Sequence, residues 1–243
     1  MNTRWRPLVI VMQTRVADQP AFILHRRDWQ NSSLLLDILS RDYGRVNLIA
    51  KGGKSSHSRS LLQPFSKILL SWSGRQTLKT LTAIDGKPTT LEESLYLPLL
   101  YINELLEAFL PELEANPEIF TLYETLLAGI ERDNREKFLC EFERAVMQIL
   151  GYLPDTGTDY EQQKPINVKS WYQFQASRGF ILCDASDMNA IEGRYIDLWN
   201  QGNYTERQVI HLAKTIMHCI IDYNLQGKRL KSRDIYSQIK NWG

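Results

Sequence analysis

The sequence predicts an α+β fold, with a small all-β module ahead of an α-helical one. Three observations predict it. Five short apolar runs lie within residues 20–85, separated by polar or glycine-containing segments, the spacing of a small barrel or sandwich. After Pro88 the apolar spacing lengthens from that of a strand to that of a helix. The charge changes at the same place. Residues 1–90 hold fourteen Lys/Arg, five Asp and no Glu, a net of +9, whereas residues 91–243 hold fifteen Lys/Arg and twenty-three Asp/Glu, a net of −8. This asymmetry, hidden in a total of +1, marks separate modules and makes the basic one a candidate for a polyanionic partner.

The strands in order are AFILHRR, SLLLDIL, RVNLIAK, SKILLSW and LKTLTAI. In RVNLIAK, Val46, Leu48 and Ala50 alternate with Arg45, Asn47 and Lys51, and Ile49 breaks the pattern. Alternate residues of a strand face opposite ways, so Arg45 and Lys51 share the face turned from the core. Residues 86–90, GKPTT, form a linker. In LYLPLLYINELLEAFL, the residues Leu99, Ile102, Leu106, Phe109 and Leu110 make one helical stripe. PEIFTLYETLLAGI opens on Pro117, where a missing N–H costs nothing, and REKFLCEFERAVMQILG stops at Gly151. Residues 152–170 are turn-rich, and WYQFQASRGFILCD is a hairpin around Ser177–Gly179. The last long helix, YTERQVIHLAKTIMHCIIDYNL, buries Val209, Leu212, Ile216, Ile220 and Tyr223 and is capped at Thr205. A short basic helix is expected from about Ser232.

Several function classes fall away. Cys140, Cys183 and Cys219 are far apart and form no CxxC pair, which argues against a disulfide framework or a zinc ribbon and fits a reducing cytoplasm. The apolar run at Pro7–Val11 is too short for a signal peptide's apolar core, and no stretch reaches the ~20 apolar residues of a membrane span. A cytoplasmic protein is expected, with no metal and no cofactor.

The chemistry centres on AKGGKSSHSRSLLQPF, residues 50–65, which carries Lys51, Lys54 and Arg59 and no acid. Gly53-Lys54-Ser55 mimics the end of a phosphate-binding loop, but Leu48 stands where the first glycine belongs and SHSRSLLQP is a poor helix start. Ser55, Ser56 and Ser58 surround His57 without a nearby carboxylate, which is loop composition rather than a nucleophile. The five acids of the basic module suggest no metal-binding nuclease cluster. His211, His218 and Cys219 match no zinc spacing and read as a solvated stripe of their helix. What remains is nucleic-acid binding by a basic barrel. The cations are Arg26, Arg27, Arg45, Lys51, Lys54, Arg59, Arg75 and Lys79, with Trp29 and Trp72 as aromatic candidates. Trp72 shares a face with Ile68 and Leu70 and reads as core. The cations of the 51–59 loop lack compensation and are explained by an incoming polyanion. Nothing in them separates DNA from RNA, so an OB-fold-type RNA-binding module is the alternative.

RDYGRVNLIAKGGKS, LLQPF, YINELLEAFLPE, FERAVMQILGY and GKRLKSRDIY, in that order, resemble the bacterial DNA repair protein RecO family over roughly residues 19–240. The resemblance implies an N-terminal OB-fold barrel over 19–86, preceded by an extension at 1–18 that carries Arg4, Arg6 and Arg15. An α-helical domain over 87–243 follows, with a loop-rich excursion at about 152–185. It further implies a non-enzymatic mediator, cytoplasmic and nucleoid-associated. Such a protein binds single- and double-stranded DNA, anneals complementary strands coated by the single-stranded DNA-binding protein SSB, and helps RecR load RecA. By position, Lys51, Gly52 and Lys54 fall in the family's basic loop, and Lys228, Lys231 and Arg233 in its basic closing motif. The helical domain is expected to take the SSB tail near 105–110, 119–127 and 137–144, through Leu106, Phe109, Phe120, Lys137 and Arg144. Many relatives carry a four-cysteine zinc motif after ILGY. Here only Cys183 stands at one such place, so the excursion is expected to be held by packing alone.

Overall fold

A computed structural model describes residues 15–233 and residue 235. Most of the 1–18 extension, with Arg4 and Arg6, lies outside the described residues. The chain forms two compact units, one comprising the chain up to Thr90 together with Phe109–Pro117, the other Leu91–Ala108 together with the chain from Glu118 onward.

In the first unit five strands, β1 (Arg15–Trp29), β2 (Ser33–Ser40), β3 (Gly44–Ala50), β4 (Lys67–Ser73) and β5 (Lys79–Gly86), close into a barrel in the order β1-β2-β3-β5-β4. This is an OB-type barrel, as the resemblance implied. β1 is long enough to pair with β4 along its first half and with β2 along its second. It starts ahead of the apolar run because its polar opening is paired through a bulge between Val16 and Gln19. There Asp18 adopts φ +49° and its amide donates to Ser71 Oγ at 3.0 Å. A bulge disrupts the two-residue period, which hides such a segment from pattern reading. Val46, Leu48 and Ala50 point inward to meet Leu34, Leu36 and Ile38 of β2. Trp72 is core, as expected: it is 3% exposed and meets Tyr43 edge-on at 5.4 Å.

The segment 50–65 is not an open loop throughout. Ser56–Leu61 forms a helix, α1. Six residues have no independent helical stability, and burial of Leu61, Leu62 and Phe65 holds them. Of Ser56 and His57 only the backbone is described.

Phe109–Pro117 acts as a strap on the barrel. β5 reaches β3 only at Leu48 and Ile49, leaving the start of that β3 edge open. The strap fills it: the Leu113 amide donates to the Arg45 carbonyl at 2.8 Å, and Arg45 and Glu112 form a parallel bridge. Gly44, at φ +67°, permits this approach, since a Cβ there would lie 1.9 Å from the Glu114 carbonyl oxygen.

The second unit contains α2 (Glu93–Phe109, whose last residue joins the barrel unit), α3 (Pro117–Gly129, whose first residue does likewise), α4 (Arg135–Ile149), α5 (Gly193–Asn200) and α6 (Arg207–Leu225). A three-stranded sheet in the order β7-β6-β8 joins them, built from β6 (Trp171–Gln175), β7 (Gly179–Cys183) and β8 (Ile191–Glu192). The expected hairpin is β6–β7. α6 is capped at Glu206 rather than Thr205, whose hydroxyl instead donates to Asn203 Oδ1 at 2.7 Å. Its buried stripe turns through Ile221 and Leu225, which leaves Tyr223 59% exposed.

Packing alone does not hold the excursion. The buried Asp159 closes it as a clamp, Oδ2 accepting from the Leu182 amide at 2.6 Å and Oδ1 from the Gln162 amide at 2.5 Å. Asp155 accepts from the Thr158 hydroxyl and from the Gly157 amide, contacts that hold its carboxyl below the usual range. Asn200 Nδ2 donates to the Thr156 carbonyl at 2.7 Å, and Thr156 Oγ1 donates to Asn200 Oδ1 at 2.8 Å.

Residues 231–233 open the expected closing helix, most of which lies outside the described residues. Glu104 accepts the Lys231 and Ser232 amides at 2.7 and 2.9 Å, satisfying donors that a helix start leaves unpaired. No helix among the described residues is long and apolar enough to cross a membrane.

Candidate nucleic-acid interface

The turn joining β1 to β2 and the segment after β3 are tied together. The Lys54 amide donates to the Ser32 carbonyl at 3.2 Å, and its Nζ donates to the Gln30 carbonyl at 2.9 Å. Arg26 Nη1 donates to the carbonyls of Arg59 and Leu62, each at 3.1 Å, which fixes α1 to β1. Lys54 is thereby held at the turn that follows Trp29, with Arg27 two residues before Trp29 on the same face of β1. Arg26 lies on the other face of β1, beside the core residue Leu36, and ties down the helix that carries Arg59.

The same register sets an outward row across four strands. Arg27 pairs with Leu35, Leu35 with Ile49, and Ile49 with Thr80. With strands about 4.8 Å apart, the row spans roughly 14 Å. Leu35 and Ile49 are half-buried, and Trp29, beside the row and opposite Ser33, is 41% exposed. Farther along β1, β2 and β3 the outward face is taken. Phe22 and Leu39 are buried, and Asn47 Nδ2 donates to Glu112 Oε1 of the strap at 2.7 Å.

The barrel cations divide into two kinds. Arg27, Lys51 and Arg59 are exposed and their side chains make no ion pair among the described residues. Arg45 faces outward as expected, but its guanidinium is engaged internally: 3.1 Å from Asp37 Oδ2, 3.6 Å from Glu112 Oε1, and donating to the Leu110 carbonyl at 2.7 Å. Lys79 is 5% exposed and donates to the Gly74 carbonyl at 3.2 Å. Arg75 is exposed in the β4–β5 turn, at the opposite end of β1 from Trp29, since the adjoining Ser73 pairs with Arg15. Lys54 is compensated after all, by Asp28 at 3.2 Å. Sequence reading missed Asp28, Gln30, Leu35 and Ile49. The only signal was Ile49's break in the alternation of its strand.

Comparison with known proteins gives the family of the chain. Residues 12–87 match the family model for the recombination protein O N terminal region, and residues 93–234 match that for its C terminal region. The chain belongs to the RecO family. A DNA repair protein RecO of Nitrosococcus oceani is 32% identical over 237 residues, covering 94% of this chain and 96% of the relative. The RecO of Haemophilus influenzae is 34% identical over 90% of this chain and 95% of its own length, and that of Coxiella burnetii 33% identical over 92% and 99%.

In the helical unit of this RecO-family chain the expected positions also separate. Leu106 and Phe120 are core residues, 0% and 2% exposed, and Phe109 is buried on the barrel side of the division. Lys137 forms an exposed pair with Glu141 at 3.8 Å. Arg144 lines an open groove of about 370 Å³ with Glu141, Gln148, Asn200 and Tyr204. Its guanidinium lies over the Trp199 ring at 4.3 Å and donates to the Trp199 carbonyl at 2.5 Å. Lys228 and Lys231 are exposed, whereas Arg233 donates to Asp222 Oδ1 at 2.5 Å and to Tyr101 Oη at 3.2 Å. The Tyr101 hydroxyl donates to the buried Glu143, whose carboxyl burial pushes up to about 6. His211, His218 and Cys219 are exposed, and no metal-holding group of three or more His, Cys, Asp or Glu occurs among the described residues.

Proposed function

We propose that this RecO-family chain is a DNA-binding recombination mediator that anneals complementary single strands coated by SSB and helps RecR load RecA, working in the cytoplasm on nucleoid DNA. The observation that carries the reading is the placing of Arg27, Lys51 and Lys54 at the β1–β2 end of the barrel, beside a half-buried outward row, with Arg59 on the helix that Arg26 ties to β1. Those side chains suit phosphate contacts, which position a strand without reading its sequence and leave base edges free to pair. Arg26 serves as the anchor of α1, and Arg75, at the far end of β1, falls outside this footprint. Arg45, Lys79 and Arg233 serve the fold instead. Lys228 and Lys231 add a second basic site in the helical unit. For the SSB tail, the reading retains Arg144 in its groove as the cation for a terminal carboxylate, and Lys137 as a rim charge.

The test is annealing of SSB-coated complementary strands by the parent and by the Lys51→Glu, Lys54→Glu double variant. The double variant is expected to lose most of the rate; an unchanged rate overturns the assignment. A matched RNA oligomer that competes as well as DNA would favour the RNA-binding alternative. Cleavage of labelled strands with Mg²⁺ that persists through repurification would replace the mediator by a nuclease.

A further inference from the structure

We infer that Trp29 is a stacking platform for an unpaired base and gives the barrel its preference for single strands over duplex. The inference rests on the DNA-binding reading above and adds to it a residue and a ligand chemistry.

Trp29 ends β1 at 41% exposure, and no ring contact is made by it among the described residues. An exposed indole alone would mean little; its surroundings give it meaning. It lies two residues from Arg27 on the same outward face, and the next outward pair along the register is Arg27 with Leu35, then Ile49. A cationic side chain and a half-buried apolar row thus flank the ring on one side. On the other, the β1–β2 turn carries the Gln30 carbonyl that holds Lys54. On the neighbouring stretch of β1, β2 and β3 the outward face is closed by buried Phe22 and Leu39 and by the strap on Arg45 and Asn47, whereas the corner at Trp29 is left open to a flat ring.

Cations track phosphates on single strands and duplexes alike. A ring face is different. Bases within a duplex have both faces covered by their neighbours, whereas an unpaired base can offer one to an aromatic side chain, and every base has such a face. Trp29 therefore adds affinity only for unpaired bases, without sequence preference, and leaves the pairing edge free.

The experiment compares the full-length parent, Trp29→Ala and Trp29→Phe for binding to a labelled oligonucleotide and to the duplex of the same sequence, across salt concentrations. Trp29→Ala is expected to weaken single-strand binding about ten-fold, with duplex binding within about two-fold and the salt slope unchanged. Trp29→Phe, which keeps a ring, should retain most of the affinity. Equal losses on single strand and duplex, or a single-strand affinity matching the parent, overturn the inference. Parent protein that binds neither DNA sinks the DNA-binding reading itself; a parent that binds while Trp29→Ala binds equally well sinks only the role of Trp29.

Discussion

Lys54 is shared between Asp28 and the backbone: its Nζ stands 3.2 Å from Asp28 Oδ2 and donates to the Gln30 carbonyl at 2.9 Å. The basic surface therefore carries its own competitor for phosphate. Asp28 is 80% exposed, so the pair contributes little to stability and is readily exchanged for a DNA oxygen. Asp28→Asn should leave the melting temperature unchanged and strengthen single-strand binding about three-fold at low salt, with the gain fading as salt screens it. Fluorescence anisotropy across a salt series reads both effects.

Lys51 and Arg45 share a face of the β3 segment in sequence but not a role in the structure. Lys51→Ala should lower the salt slope of single-strand binding by about 0.7, the value for one lost phosphate contact, without changing stability. Arg45→Ala should destabilise the barrel by about 3 kcal/mol, because it takes the guanidinium away from the largely buried Asp37 and removes an anchor of the strap. Chemical denaturation and a DNA titration on both variants separate the two outcomes. A normal fold with a lost phosphate contact in Arg45→Ala would contradict the structural role.

Glu143 makes the stability of the helical unit depend on pH, in favour of mild acid. Burial raises its folded-state value to about 6 from an ordinary 4.5, so the folded chain holds the proton more tightly than the unfolded one. The associated stability is fully present below pH 4.5, is lost as pH rises through about 6, and amounts to about 2 kcal/mol. Glu143→Gln stays neutral and still accepts from Tyr101. The difference in melting temperature between variant and parent should therefore grow in the variant's favour between pH 4.5 and 6 and then level off.

Asp159 carries out in the excursion what a metal clip does elsewhere. Asp159→Ala leaves two partly buried amides without their carboxylate and should cost about 1 kcal/mol locally. Hydrogen exchange should show loss of protection at Gln162 and Leu182 with the barrel unaffected. A chelator should leave the parent's melting temperature unchanged.

Much of the architecture was legible because it rests on local periodicity. Val46, Leu48 and Ala50 face the core because a strand alternates, and Leu99, Ile102 and Leu106 do so because a helix repeats. The opening of β1 was hidden by the bulge at Asp18, and α1 by its brevity, since burial of Leu61 and Leu62 rather than propensity forms it. The strap was invisible for a similar reason: its partner strand lies more than sixty residues away in sequence.

By itself the sequence determined a basic barrel, an acidic helical unit, membership of a family and a pool of cations. Only the tertiary structure decided which cations remain available. Arg45 and Lys51 alternate identically along the chain, yet one meets Asp37 and Glu112 while the other meets solvent. Lys54 counted as uncompensated until β1 brought Asp28 beside it. Charge is a property of the residue, but its availability depends on neighbours set by strand register and chain return, and those neighbours are far apart in sequence.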